Sequence, residues 1–94
     1  MATKFLAGDR VVISSSYHWA KNATGTVGAP PSQVTALSGP WQNNLTRIVK
    51  TRLGDAVYYW VWFDEKQVDA EGDGPYEGGE IPENELTLIS RTTS

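Results

Sequence analysis

His18 is the only histidine, and the chain has no cysteine. A serine triad needs a histidine as its base, and Ser14, Ser15 and Ser16 lie near His18 in sequence. Nearness along the chain, however, does not aim a hydroxyl at an imidazole. Thiolate nucleophiles, disulfides and multi-histidine or cysteine metal sites are excluded by composition. There is no glycine-rich loop ending in lysine to cradle a phosphate. The paired carboxylates fall in a glycine-rich stretch, a poor support for preorganised acid–base work. These residues argue against an enzyme, and no cofactor is expected.

The acidic stretch contains one ordered pattern. Asp69-Ala70-Glu71-Gly72-Asp73-Gly74-Pro75-Tyr76-Glu77-Gly78-Gly79-Glu80 puts acids and a central glycine nearly where a calcium-binding EF-hand loop needs them. Glu71 is long for its position, Pro75 and Tyr76 depart from the pattern, and no helices flank the loop. Asp69, Glu71, Asp73 and Glu80 are weak calcium candidates, set against a flexible acidic loop.

A second pattern is aromatic. Val57-Tyr58-Tyr59-Trp60-Val61-Trp62-Phe63 is apolar on both faces of a strand, where a half-buried strand would alternate. With Val57, Tyr59, Val61 and Phe63 facing a core, Tyr58, Trp60 and Trp62 form a second face that something must cover. Lys50, Arg52, Tyr17, Trp19 and Trp41 are expected to flank it. Tyrosine and tryptophan dominate interface hot spots, so this face reads as a site for a protein partner or for a second copy in a homo-oligomer. The competing reading is self-coverage by the 29–44 segment. Cations beside stacking rings could also hold a single nucleic-acid strand. A sequence pI near 4.9 and the adjacent acids argue against a polyanion.

These residues must be positioned by one domain of 94 residues, with 7–90 as its core and 1–6 and 91–94 as frayed ends. Residues 1–63 carry six cations against two acids, whereas residues 64–94 carry nine acids against two cations. No apolar run approaches membrane-spanning length, and the cysteine-free chain is expected in the cytoplasm. Short β-rich runs at 10–13, 24–28, 45–53, 57–63 and 86–89 read as five strands. Long loops at 29–44 and 64–80 separate them, and Pro82-Glu83-Asn84-Glu85 suits a helical turn. This pattern predicts an all-β, five-stranded, strongly bent antiparallel barrel. A three-residue hairpin loop, Gly54-Asp55-Ala56, is expected, because a two-residue turn at Gly54-Asp55 would bury Lys50 and Arg52 beside Tyr59. The predicted core is Val11, Ile13, Val27, Val49, Leu53, Val57, Tyr59, Val61, Phe63, Leu86 and Leu88.

The opening Ala7-Gly8-Asp9-Arg10-Val11-Val12-Ile13, followed by Ser16-Tyr17, Trp19, Asn22 and Gly25-Thr26-Val27, resembles the start of the family of E-type subunits of photosystem I. Val61-Trp62-Phe63-Asp64 and Glu83-Asn84-Glu85-Leu86 are similar to that family's later strand and final turn. The same Src-homology-3-like barrel occurs in the variable chain of ferredoxin–thioredoxin reductase and in the nitrile hydratase beta subunit, which together form the electron-transport accessory group. The resemblance implies that fold and a non-catalytic, partner-binding role. The glycine–aspartate–arginine–valine opening is also similar to that of type II dihydrofolate reductases, which implies an oligomeric barrel enzyme as an alternative. Their pore motif, valine–glutamine–isoleucine–tyrosine, is absent here.

Overall fold

A computed structural model describes residues 4–34, 41 and 45–91. Its framework is an antiparallel sheet of six strands: β1 (Arg10–Ile13), β2 (Thr24–Val27), β3 (Thr46–Thr51), β4 (Gly54–Gln67), β5 (Tyr76–Pro82) and β6 (Leu86–Ser90). A 3-10 turn, η1 (Glu83–Glu85), precedes the last strand. β1 and β2 alternate along their length, so Val11, Ile13 and Val27 enter the core while Arg10, Val12 and Thr26 stay partly exposed. No helix among the described residues is long and apolar enough to cross a membrane.

β4 is the spine. Tyr58 and Tyr59 pair with both β3 and β5, and Val61 and Trp62 pair with both β2 and β5. β5 therefore holds one edge of β4, and β2 and β3 share the other. Val27 pairs with Val61, Gly28 N–H donates to Trp60 O at 3.1 Å, and Thr46 pairs with Tyr59. β2 and β3 thus behave as one strand interrupted by the excursion 29–45. The sheet continues from β2 to β1 and then to β6.

The all-β architecture and the turn before the last strand agree with the sequence reading. The strand count and closure do not. The path ends at β3 and at β6, which do not pair with each other, and β5 borders only β4, so the described residues form an open six-stranded sheet rather than a closed five-stranded barrel. The additional strand, β5, arises from a stretch read as acidic loop. Its Gly78 and Gly79 weaken strand propensity, but they lie where large rings cross the sheet.

The hairpin register also differs. Thr51 pairs with Gly54, which makes Arg52-Leu53 the turn. Thr51 Oγ1 donates to Gly54 O and accepts from Leu53 N–H at 3.2 Å, while Gly54 has φ +119, a conformation suited to glycine. Lys50 faces the same side as Val57 and Tyr59, yet it costs no burial because the ribbon runs past the core: Lys50 and its partner Asp55 are both exposed. Leu53 is 100% exposed rather than core, Val49 pairs with Ala56 on the opposite face, and Leu88 is 41% exposed.

Phe5 and Ile81 complete the core in their place. Phe5 lies in the stretch expected to fray, but it is buried with its ring edge-on to Tyr59 at 5.2 Å. The Tyr59 hydroxyl accepts from the Lys4 and Phe5 amides and donates to the Glu83 carboxylate at 2.8 Å. Burial raises the Tyr59 pKa. Asp9, also buried, accepts from Leu6 N–H at 2.8 Å and from the Arg91 guanidinium, which ties the two ends of the described chain together. Its carboxyl is held below the usual range chiefly by the Arg91 hydrogen bonds.

Candidate functional site

The pleat of β4 sorts its side chains. Tyr59 and Val61 are completely buried on the core side, and Tyr58, Trp60 and Trp62 take the other face. Trp60 is nevertheless only 7% exposed. Its ring crosses to β5 and lies over Gly78, where a Cβ would sit 2.7 Å from Trp60 Nε1. Trp62 packs edge-on against it, with ring centroids 5.7 Å apart and planes at 70°. The Trp62 indole N–H donates to Ala29 O at 3.0 Å. The first residues of the excursion therefore run along the indole pair, and the expected self-coverage is present in part.

Beside the pair lies an open groove of about 450 Å³, walled by Pro31, Gln33, the two indoles, Lys66, Tyr76 and Glu77. Trp60 Nε1 is buried and has no hydrogen-bond partner among the described residues. One indole N–H of the pair is thus satisfied by a main-chain carbonyl, and its neighbour is left without an acceptor.

The flanking residues distribute differently from the sequence expectation. Lys50 points to the core side of the ribbon and Arg52 occupies the turn, so neither accompanies the tryptophans. The outer face carries two other cations: Lys66, which lines the groove with the indoles, and Arg47, opposite Tyr58, with its guanidinium carbon 5.8 Å from that ring centre and its Nε donating to Glu80. Alternation along β3 was the signal that would have identified Arg47. Trp19 belongs to the core side: it meets Phe63 at 5.5 Å and Tyr76 at 5.9 Å and covers Gly79. Tyr17 also packs against the core, and burial pushes its phenol up to about 12. Trp41 is half-buried; its neighbours 35–40 and 42–44 lie outside the described residues.

The remaining polar groups show what the surface is built to hold. His18 is exposed and sits edge-on to Tyr17 at 4.4 Å, while the Ser14 and Ser16 hydroxyls bond each other at 2.8 Å. That arrangement supplies no serine–histidine pair among the described residues. The Asp69 carboxylate caps its own loop: Oδ1 accepts from the Glu71 and Asp73 amides at 2.9 Å, and Oδ2 accepts from the Tyr76 hydroxyl at 3.2 Å. Those bonds, first that from Asp73, hold its carboxyl below the usual range. Glu80 is engaged by Arg47, and Glu71 and Asp73 are exposed. The four calcium candidates are thus not gathered around one point, and no group of three or more metal-ligating side chains converges among the described residues.

Asp64 accepts from the Arg10 guanidinium at 2.7 Å and from the Thr24 hydroxyl at 2.6 Å, which ties β4 to β1 and β2. Its carboxyl is held down to about 2, first by Arg10 and then by Thr24. Glu65, Glu71, Asp73 and Glu77 are all exposed and make no ion pair with a described residue. Of these only Glu77 lines the groove, where Lys66 accompanies it.

Comparison with protein-family models, curated proteins and solved structures yields no match to this chain.

Proposed function

We propose that the chain is a non-catalytic protein-interaction module of the Src-homology-3-like kind, acting in the cytoplasm, with the groove over Trp60 and Trp62 as its binding face. The observation that carries this reading is the buried Trp60 indole N–H without an acceptor, beside a Trp62 indole N–H that a main-chain carbonyl satisfies. An unpaired buried donor costs about 1–3 kcal/mol. The nitrogen is packed over Gly78, so a peptide carbonyl supplies the missing acceptor by drawing the indole toward the groove. The interruption of one strand into β2 and β3 leaves five strand positions in the sheet, the number in the barrels that the sequence resembles.

The charge around the groove selects the partner. Lys66 and Glu77 both line the groove, and it is the wider 64–80 stretch, with seven acids, whose field favours an extended segment carrying arginine or lysine beside apolar side chains and repels a nucleic-acid strand. Titration of isotope-labelled protein with a basic, leucine- and proline-containing peptide tests this, with an acidic peptide of the same apolar content and an oligothymidine as comparisons. The basic peptide is expected to move the indole N–H resonances of Trp60 and Trp62 and leave that of Trp19 in place. A response confined to Trp19, or to the oligonucleotide, would overturn the assignment.

A further inference from the structure

Lys66 is the only cation between residues 64 and 80, where it stands among seven acids. It nevertheless makes no ion pair with a described residue. Its neighbour Glu65 lines a different cavity, with Asn22 and Thr24. Asp64 is held by Arg10 and Thr24, Asp69 by the amides of its own loop, and Glu80 by Arg47. Lys66 instead lines the indole groove together with Glu77, and the same two side chains line an adjoining cavity with Trp62 and Phe63. Glu77 is as unpaired as Lys66. A lysine and a glutamate that share both cavities without closing into a pair present a positive and a negative group to one occupant. Two rings supply the apolar wall between them: Trp62 is 37% and Tyr76 39% exposed. The volume, about 450 Å³, lies within the range of small-ligand sites, roughly 300–1,000 Å³, and suits the end of a chain better than a long run of it.

We propose that the groove takes the C-terminal end of a partner chain, with the terminal carboxylate on the Lys66 ammonium. The last side chain, an apolar one, lies against Trp62 and Tyr76, and a basic side chain upstream faces Glu77. A segment that is only basic sets its charge against Lys66, and one that is only apolar leaves both Lys66 and Glu77 unanswered. A chain terminus answers all three elements in a short span, because its carboxylate and its last side chain belong to the same residue. An acid within a chain needs a further residue in the groove to present its carboxylate beside the apolar one. Capture of a terminal carboxylate is an established mode of peptide recognition, although it commonly uses backbone donors rather than a lysine. This inference rests on the groove being a binding face, and adds which part of the partner enters it and which charge fixes it.

One basic peptide ending in leucine, made with a free C-terminal carboxylate and again with a C-terminal amide, tests it. The affinity of each form is read from the Trp60 and Trp62 indole N–H resonances of the full chain. The free acid is expected to bind roughly three- to tenfold more tightly than the amide, the span between an exposed ion pair and a charge-assisted hydrogen bond. Lys66→Gln should erase that preference and leave the amide form as it was, whereas Lys66→Arg should keep it. Lys66 is exposed, so neither substitution disturbs the core. Glu77→Gln should weaken both forms alike. A third peptide, amidated and carrying an aspartate before its leucine, separates a terminal carboxylate from a side-chain one. Equal affinity of the free acid and the amide, a preference that survives Lys66→Gln, or an aspartate peptide that binds as tightly as the free acid would each overturn the proposal. If the peptides move the two resonances without distinguishing their ends, only the terminus is wrong. If none moves them, the groove reading fails as well.

Discussion

Gly78→Ala is the sharpest probe of how the indole pair is seated. A Cβ at that position would lie 2.7 Å from Trp60 Nε1, 3.0 Å from Trp60 Cε2 and 2.8 Å from the main-chain oxygen of Val61. Comfortable contact begins at about 3.5 Å, so the ring must retreat by almost 1 Å. It has little room, because Trp62 stands against it with a centroid separation of 5.7 Å. The Val61 oxygen cannot swing aside as a side chain would, so β4 and β5 must also separate slightly. Overpacking of this kind costs about 1–3 kcal/mol, and two sub-3 Å approaches, one of them to backbone, put the expected cost at about 2–3 kcal/mol. For a domain of this size that is a drop in Tm of roughly 8–24 °C. Thermal unfolding followed by near-ultraviolet circular dichroism reads it, and the Trp60 indole resonance should move with it. A Trp60→Leu background separates the two causes: with the ring gone, the added cost of alanine should fall by about half. An alanine variant that melts within about 2 °C of wild type, or a cost unchanged in the leucine background, would refute the placement of Trp60 over Gly78.

Trp60→Ala should destabilise by about 3–5 kcal/mol and Trp62→Ala by no more than about 1–2 kcal/mol, because the first ring is buried and the second is 37% exposed; denaturant titration of each separates them. Tyr59→Phe leaves the Lys4 and Phe5 amides and Glu83 without their shared hydroxyl, and the same titration should show a loss of about 1–3 kcal/mol, with faster hydrogen exchange at Phe5. Asp64 has a folded pKa of about 2, below its ordinary 3.8, so its ionised form stabilises the fold above pH 3.8 and that contribution is lost as pH falls through 2. Asp64→Asn should therefore be less stable than wild type at neutral pH, with the difference shrinking between pH 3.8 and pH 2 in denaturation curves measured across that range.

The parts of the fold legible in sequence were those in which a side-chain pattern and a local burial demand coincide. β1 and β2 alternate cleanly; the inside placement of Tyr59 and Val61 was tied to a three-residue hairpin loop, and it holds although the turn has two residues. The hairpin register was not legible, because excluding Lys50 from the core-side face presumed that the core extends that far. The ribbon outruns it, Asp55 sits opposite Lys50, and both are solvated. β5 was hidden by its own glycines: Gly78 and Gly79 read as loop punctuation, whereas they are the spaces that the Trp60 and Trp19 rings require. That requirement comes from residues far away in sequence and has no local signature. In the candidate site, the outward face of Tyr58, Trp60 and Trp62 was legible from the pleat. The burial of Trp60 was not, since it depends on Gly78 of β5 leaving room for the ring and on Trp62 standing against it. Arg47, rather than Lys50 or Arg52, stands over Tyr58 because the turn falls two residues earlier than the glycine suggests.

The interrupted strand has a consequence for how such a surface can change. The chain leaves β4 opposite Trp60 and rejoins opposite Tyr59, so the sheet resumes its register as if nothing intervened. The length of the excursion is then free of the hydrogen-bond ladder. Doubling the length of a loop costs only about 0.6 kcal/mol in closure entropy. The wall of the groove and the frame that carries it are therefore separable inheritances. Residues 29–45 can be lengthened, shortened or exchanged, and the recognition surface rewritten, while β1, β2, β4 and β6 stay as they are.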